Sequence, residues 1–175
     1  TAGYKTERVA NVASDRDAFA TALDSAVDVV AGATKVDFTT GLIAATGRDL
    51  DVAIDGPGFF VIDTPAGERY TRAGGFNRRA DGILTNSTGE PVLGELGEIQ
   101  LPTTPVTISG DGTIRSGVNV VGRVRVVEFE SERDLIRESG SRFRTLAGAA
   151  TPTDVDAKLV GGALEQASIS VVGRM

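Results

Sequence analysis

The stretch Leu50-Asp51-Val52-Ala53-Ile54-Asp55-Gly56-Pro57-Gly58-Phe59-Phe60-Val61-Ile62 decides the fold. Its first six residues alternate apolar with polar or small side chains, the period of a half-buried strand. Gly56-Pro57-Gly58 interrupts the run as a turn. Phe59 to Ile62 is aromatic and β-branched, a composition that suits a second strand. Pro65-Ala66-Gly67-Glu68 is a hairpin turn, and Arg69-Tyr70-Thr71-Arg72 leads back. Strand, turn, strand and turn in so short a span predict antiparallel hairpins, without the long helical crossovers that parallel strands need.

The same grammar continues downstream. Phe76-Asn77-Arg78-Arg79 precedes Asp81-Gly82 and Ile83-Leu84-Thr85, and Val106-Thr107-Ile108 precedes Asp111-Gly112 and Thr113-Ile114-Arg115. Asp-Gly between extended runs predicts type I′ turns, with positive φ at both central residues. Ser87-Thr88-Gly89-Glu90 is a further turn ahead of Pro91-Val92-Leu93-Gly94, and Ile99-Gln100-Leu101 is a short strand. Residues 122–129 read as the clearest strand, with Val124, Val126 and Glu128 on one face and Arg125, Val127 and Phe129 on the other. Leu135 and Ile136 anchor a turn or short helix in the charged segment 130–140, and residues 142–146 form another strand. Gly161-Gly162 separates Lys158-Leu159-Val160 from Ala163-Leu164-Glu165, and Ile169-Ser170-Val171-Val172 is the last extended piece.

The two ends lack this turn punctuation. In residues 15–31, Phe19, Leu23, Val27 and Val30 would form one helical stripe, but several Asp, Thr and Val residues oppose a helix there. The chain therefore divides into an N-terminal extended or partly helical linker (1–35), a β core (36–146) and a C-terminal return segment (147–175). The fold class is mainly β, a hairpin-rich meander with little helix.

Composition narrows the chemistry. The chain has 175 residues, 41% of them hydrophobic, enough to bury a core that must be largely aliphatic because Trp is absent. A net charge of −6 with scattered arginines argues against nucleic acid. No apolar run approaches the length that spans a bilayer. Histidine and cysteine are both absent. That excludes Ser-His-Asp and Cys-His catalysis, disulfides, thiolate nucleophiles, zinc clusters and any His-ligated metal. The first residue is not Met and the one Met is Met175; the simplest expectation is a piece of a longer chain.

Each local motif has a plain reading beside a chemical one. Gly56-x-Gly58 lacks the Gly-Lys-Ser/Thr of a phosphate loop, so a turn is favoured. Ser109-Gly110-Asp111-Gly112 loosely resembles a calcium loop but lacks the further acidic ligands, so a hairpin turn is favoured. Glu128, Glu130, Glu132 and Asp134 suggest paired catalytic carboxylates, yet a solvated charged edge that deters sheet pairing explains them better. Arg69, Arg72, Arg78 and Arg79 form the densest basic stretch; they pair either with acidic residues of a neighbouring subunit or with solvent at a hairpin rim. No catalytic, cofactor-binding or metal-binding residue is expected.

Several stretches in succession resemble the flagellar basal-body rod and hook family. Thr1-Ala2-Gly3-Tyr4-Lys5 is similar to the end of its N-terminal signature, and residues 46–60, with Gly56, Gly58 and Phe59, to its core opening. Its most specific block resembles Tyr70-Thr71-Arg72-Ala73-Gly74-Gly75-Phe76, then Asp81-Gly82-Ile83-Leu84-Thr85, then Gly89-Glu90-Pro91-Val92-Leu93-Gly94. Gly162-Ala163-Leu164-Glu165-Gln166-Ala167-Ser168 looks like the segment before its C-terminal helix. The wording at 46–54 is most similar to the proximal-rod branch, with the distal rod next and the hook further away. The 15–31 stretch matches no family motif.

The resemblance implies a structural subunit, not an enzyme, of the periplasm-spanning basal-body rod. It implies a helical assembly with other rod subunits and export by the flagellar secretion apparatus. It also implies two terminal helices, absent here, that form an inner tube beneath the β body. Such a subunit needs both ends of its outer domain on one side. Head-to-tail contacts that do not close would then build a filament. This piece alone is expected to be monomeric, with no nucleic acid, no membrane insertion and no cofactor. The competing reading is a cell-wall carbohydrate- or peptide-binding β module, which would need exposed aromatic side chains lining a concave site.

Overall fold

The computed structural model describes residues 40–166. The linker at 1–35 with its helical stripe, the motif residues Gly3, Tyr4 and Lys5, and the extended piece at 169–172 lie outside the described residues.

The chain passes through β1 (Ile43–Ala45) and β2 (Val52–Ile54) into a hairpin of β3 (Phe59–Thr64) and β4 (Gly67–Thr71). Four short strands follow, β5 (Asn77–Arg78), β6 (Leu84–Thr85), β7 (Leu93–Gly94) and β8 (Gly97–Glu98). Next come β9 (Thr107–Ile108), β10 (Thr113–Ser116), β11 (Asn119–Arg123) and β12 (Val126–Glu128). A 3-10 turn at Glu132–Asp134 leads to β13 (Leu135–Arg137) and β14 (Arg142–Thr145). The last strands are β15 (Thr153–Asp154), β16 (Leu159–Gly161) and β17 (Ala163–Glu165).

The expected mainly β fold is what forms. The largest sheet has six strands in the order β13-β14-β4-β3-β12-β15, with every pairing antiparallel. A three-stranded sheet β11-β10-β9 and four strand pairs, β1-β17, β16-β2, β5-β6 and β7-β8, complete the described domain.

Phe59 and Phe60 organise the two faces of the large sheet, because consecutive strand residues point to opposite sides. Phe60 and Ile62 face the main core with Val52, Ile54, Leu84, Val92 and Ile114, all fully buried, and Phe60 meets Phe76 edge-on at 5.0 Å. Phe59 faces the other side, where Phe129 and Phe143 approach it at 5.7 Å and Phe129 also meets Tyr70 at 4.8 Å. Truncating Phe60 to Ala would cost about 3–5 kcal/mol, the usual penalty for emptying an aromatic core site.

Several sequence expectations need correction. The half-buried strand expected at 50–55 is shorter, and Val52, Ala53 and Ile54 are buried on both sides. Val52 and Ile54 enter the core, while β17 and the Arg72 guanidinium cover the other side. The single strand expected at 122–129 is two strands in different sheets. At the break, Val124 N donates to Gly112 O at 2.9 Å and Arg125 N to Leu93 O at 3.1 Å, so the backbone changes partners between β11 and β12. β12 ends at Glu128, so the carboxylates of 130 and 132 do not continue a strand face. Leu135 and Ile136 lie in an edge strand, not a helix. Gln100 makes an isolated bridge to Ile83 in place of a short strand.

The Asp-Gly turns are also not type I′. Gly82 N donates to Arg79 O at 2.8 Å, and Gly112 N to Ser109 O at 2.9 Å. The central pairs are therefore Ala80-Asp81 and Gly110-Asp111, with glycine in the following, positive-φ position. Asn86–Gly89 repeats the pattern, with Gly89 N on Asn86 O at 3.1 Å. In each turn the side-chain oxygen of Asp81, Asp111 or Asn86 accepts a backbone N–H two residues on, which is why short polar acceptors occupy these sites.

Candidate functional site

The described domain is entered and left through one strand pair. Ile43 lies opposite Glu165, Ala44 opposite Leu164 and Ala45 opposite Ala163, and Gln166 N donates to Leu42 O at 2.8 Å. The pair is tied to the loop before β2 at Gly162. Gly162 O accepts from Thr46 N at 2.8 Å and Gly47 N at 3.1 Å, while Gly162 N donates to Asp51 O at 2.7 Å. A φ of 67° at Gly162 favours glycine there.

Arg72 locks this pair to the rest of the domain. Its Nε donates to Glu165 Oε2 at 2.9 Å, Nη1 to Gly58 O at 2.8 Å and Gly56 O at 3.1 Å, and Nη2 to Ile54 O at 3.4 Å. The other Glu165 oxygen accepts Gly41 N at 2.8 Å. One planar guanidinium thus joins the end of β4, the end of β2, the Gly56–Gly58 turn and the β1-β17 pair. Its five fixed donors suit several converging carbonyls and a carboxylate at once. The two side chains are 13% and 11% exposed, so this ion pair is held largely away from solvent.

Around the clasp, glycines permit close backbone approach. Val52 N donates to Gly74 O at 3.0 Å, and a Cβ on Gly74 would lie 1.6 Å from Val52 O. Gly94 is also confined, though less tightly, with a Cβ position 2.5 Å from Arg123 O. Asp51 is buried, accepts Thr46 Oγ1 at 2.7 Å, and has Arg48 Nη1 3.3 Å from its other oxygen, which takes no hydrogen bond. Thr71 is buried and donates to Ser141 O at 2.8 Å, and Leu164 flanks the Gly75 backbone.

A second tie binds the Asn86–Gly89 turn to β14. Glu90 accepts from Asn86 Nδ2 at 2.8 Å and Thr88 Oγ1 at 2.9 Å, and pairs with Arg142. Burial alone would raise the Glu90 carboxyl, but the hydrogen bonds from Asn86 and Thr88 and the Arg142 charge outweigh it and hold the group below the usual carboxylate range. Burial, followed by the Glu68 charge, raises the Tyr70 phenol above its ordinary value.

The basic stretch is divided. Arg69 pairs with Glu138 at 3.0 Å and is mostly buried, Arg72 is the clasp, and Arg79 closes on Asp81 of its own turn at 2.6 Å. Arg78 stays exposed and donates to Thr104 O at 3.3 Å. The Gly56–Gly58 turn aims carbonyls at Arg72, an acceptor set unsuited to a phosphate. The Ser109–Gly112 segment is a hairpin turn whose aspartate is occupied by Thr113. Among the described residues no group of three or more His, Cys, Asp or Glu is placed to hold a metal ion.

Glu165 was marked only by its place in a family-like segment, and Arg142 carried no signal in the sequence. Their partners lie 93 and 52 positions away, beyond any periodicity or motif spacing. Arg72 was marked by its place in a family-like block and in the densest basic stretch.

Residues 53–116 match the family described as "Flagellar hook protein FlgE/F/G D1 domain". The chain is 34% identical over 139 residues to the flagellar basal-body rod protein FlgF of Caulobacter vibrioides, covering 78% of this chain and 57% of that protein. It is 33% identical over 163 residues to FlgF of Salmonella typhimurium, covering 84% of this chain and 64% of that one. A FlgG rod protein of Bacillus subtilis is 32% identical over 132 residues, 71% of this chain and 50% of the relative. The chain therefore spans less than two thirds of the length of these relatives.

Proposed function

We propose that the chain, whose residues 53–116 match the D1 domain of flagellar hook and rod proteins, belongs to the flagellar basal-body rod and hook family and is the outer β body of a proximal-rod subunit. The observation that carries this reading is the β1-β17 pair. Both ends of the described domain leave through it side by side, as they must if flanking segments run together into a tube beneath the domain. The Arg72–Glu165 clasp makes that junction stiff, which suits a part that passes torque along a shaft.

The role is structural. Each described arginine of the clasp and its surroundings is engaged in holding strands together, and His and Cys, the commonest sources of a base and a strong nucleophile, are absent from the chain. The cell-wall-binding alternative needs exposed aromatics, whereas the aromatic side chains among the described residues, Phe59, Phe60, Tyr70, Phe76, Phe129 and Phe143, are buried. The subunit works in the basal body after export by the flagellar secretion apparatus. No helix among the described residues is long and apolar enough to cross a membrane.

The direct test deletes the complete gene and assays its product in purified basal bodies. Loss of motility, with the product present in wild-type rods, is expected. Full-length rods assembled without it would overturn the reading. A position next to the hook, not near the inner membrane, would favour the distal-rod reading that the FlgG relative keeps open. The piece alone is expected to sediment as a monomer at micromolar concentration in the ultracentrifuge; a concentration-independent oligomer contradicts this.

A further inference from the structure

We propose that the β10-β11 hairpin of one copy docks, through Arg115, Val118 and Val120, on an acidic pocket of the next copy that has Leu96 at its edge. The inference rests on the rod reading and names the surfaces through which one subunit meets another. The pocket has a volume of about 260 Å³ and forms where β11 hands over to β12, beside the segment that joins β15 to β16. Its floor is made of valine, alanine and leucine side chains, and its walls carry Arg123 and Arg125 among Glu95, Asp111, Asp154 and Asp156.

The pocket holds more carboxylate than its own cations can match. Arg123 is shared between Glu95 at 3.0 Å and Asp156 at 2.6 Å, and Arg125 between Asp154 at 2.6 Å and Glu68, just outside the pocket, at 3.2 Å. Lys158, the next cation along the chain, is taken by Asp55 at 2.7 Å. Four lining carboxylates against two guanidinium groups leave two negative charges unbalanced. An apolar floor below surplus carboxylates fits a long cationic side chain, whose methylene stem lies on the floor while its head reaches the charges.

The hairpin presents such a side chain. Strand alternation sends Ile114 into the core opposite Ile108 and turns Arg115 to solvent. Arg115 lies opposite Thr107 and Val120, both uncharged, and makes no ion pair among the described residues. Apolar exposure singles out the same two places. Of the five large apolar side chains left exposed among the described residues, Val118 and Val120 belong to this hairpin and Leu96 adjoins Glu95 of the pocket. One surface thus joins an unpaired cation to apolar side chains, and the other joins surplus carboxylates to an apolar edge, which makes the two complementary. They are different surfaces, so contact between copies is heterologous and propagates, the geometry of a helical filament. In the rod such a contact is reinforced by the others holding the subunits at high effective concentration, so it can be weak in isolation.

The absence of cysteine allows a clean test. Full chains carrying Val118→Cys and Leu96→Cys, both at exposed turn positions, are mixed at about millimolar concentration in a glutathione redox buffer, and hetero-dimer formation is timed. A pair of Val118→Cys with Ser87→Cys is the control, and circular dichroism checks that each variant is folded. The 118–96 disulfide should form at least about tenfold faster than the control, and the advantage should shrink at 1 M salt, where screening acts within about 3 Å. Arg115→Glu in the Val118→Cys copy should remove it. Asp154→Arg with Asp156→Arg in the Leu96→Cys copy, which reverses the sign of the pocket, should then restore it. Equal rates for the two pairs, a 118–118 disulfide that outpaces 118–96, or an advantage indifferent to Arg115→Glu overturns the docking. If the product still enters basal bodies in that case, the docking alone falls; exclusion from basal bodies would instead remove the rod reading.

Discussion

Replacing Arg72 with Met keeps the apolar stem and removes the guanidinium. Four acceptors then lose their donor: Glu165 Oε2 and the carbonyls of Ile54, Gly56 and Gly58. Breaking a buried ion pair from one side costs about 3–5 kcal/mol. At 13% and 11% exposure water reaches part of this site, so the lower end applies, about 3 kcal/mol. The weak 3.4 Å contact to Ile54 O adds little. For a domain of this size each kcal/mol shifts Tm by about 2–4 °C, which puts Arg72→Met about 10 °C below the parent. Glu165→Gln removes the charge and one of the two acceptor oxygens, because its amide nitrogen must face either Arg72 Nε or Gly41 N, so a cost of about 1–3 kcal/mol, below that of Arg72→Met, is expected. Urea unfolding followed by circular dichroism measures both, provided the m-values stay equal. Amide hydrogen exchange adds a local readout, since Gly41 and Gln166 should exchange faster in Glu165→Gln while the β3-β4 hairpin is unchanged. An Arg72→Met variant within about 0.5 kcal/mol of the parent, the range of ordinary surface substitutions, would refute the clasp as a structural lock. So would a Glu165→Gln that costs more than Arg72→Met.

Two further predictions concern single residues. Glu90 has a depressed carboxyl pKa, so its contribution is fully present above the unfolded value of about 4.3 and is lost as pH falls through the lower folded value. Stability measured from pH 7 to pH 3 should fall more steeply in that acid window for the parent than for Glu90→Gln, and superimposable acid limbs would contradict the assignment. The glycines should rank by what a methyl group meets. Gly89→Ala, at φ 86° with open space around it, should cost only the left-handed penalty of about 1 kcal/mol. Gly82→Ala should cost more, because its Cβ would lie 3.0 Å from Leu101 O, and Gly74→Ala most, at 1.6 Å from Val52 O. Urea midpoints in any other order refute the packing argument.

What could be read from the chain alone was local. Hairpin punctuation at 56–58, 65–68, 81–82, 87–90 and 111–112 depends on residues within a few positions of each other, and glycine and short polar side chains at turns act through their own backbone. Those positions are turns in the structure, although the hydrogen bonds place Asp-Gly one step later in each turn than a type I′ reading requires. The family resemblance was also legible, because it rests on ordered local wording. Burial on both faces of Val52–Ile54 was not, since period-2 alternation reports only one covered face and says nothing of a strand roofed by β17 from the far end of the described chain.

The sequence by itself determined a mainly β chain of short hairpins, without histidine or thiol chemistry, written in the idiom of a rod subunit. Only the tertiary structure decided that β1 pairs with β17 and β2 with β16, that the strand read at 122–129 divides between two sheets, and which arginines pair with carboxylates inside the chain. The physical reason is range. A turn is set by dihedral preferences a few residues wide, whereas a strand partner or an ion pair such as Arg72–Glu165 is chosen by burial and geometry across the whole domain, and no spacing in the sequence carries that choice.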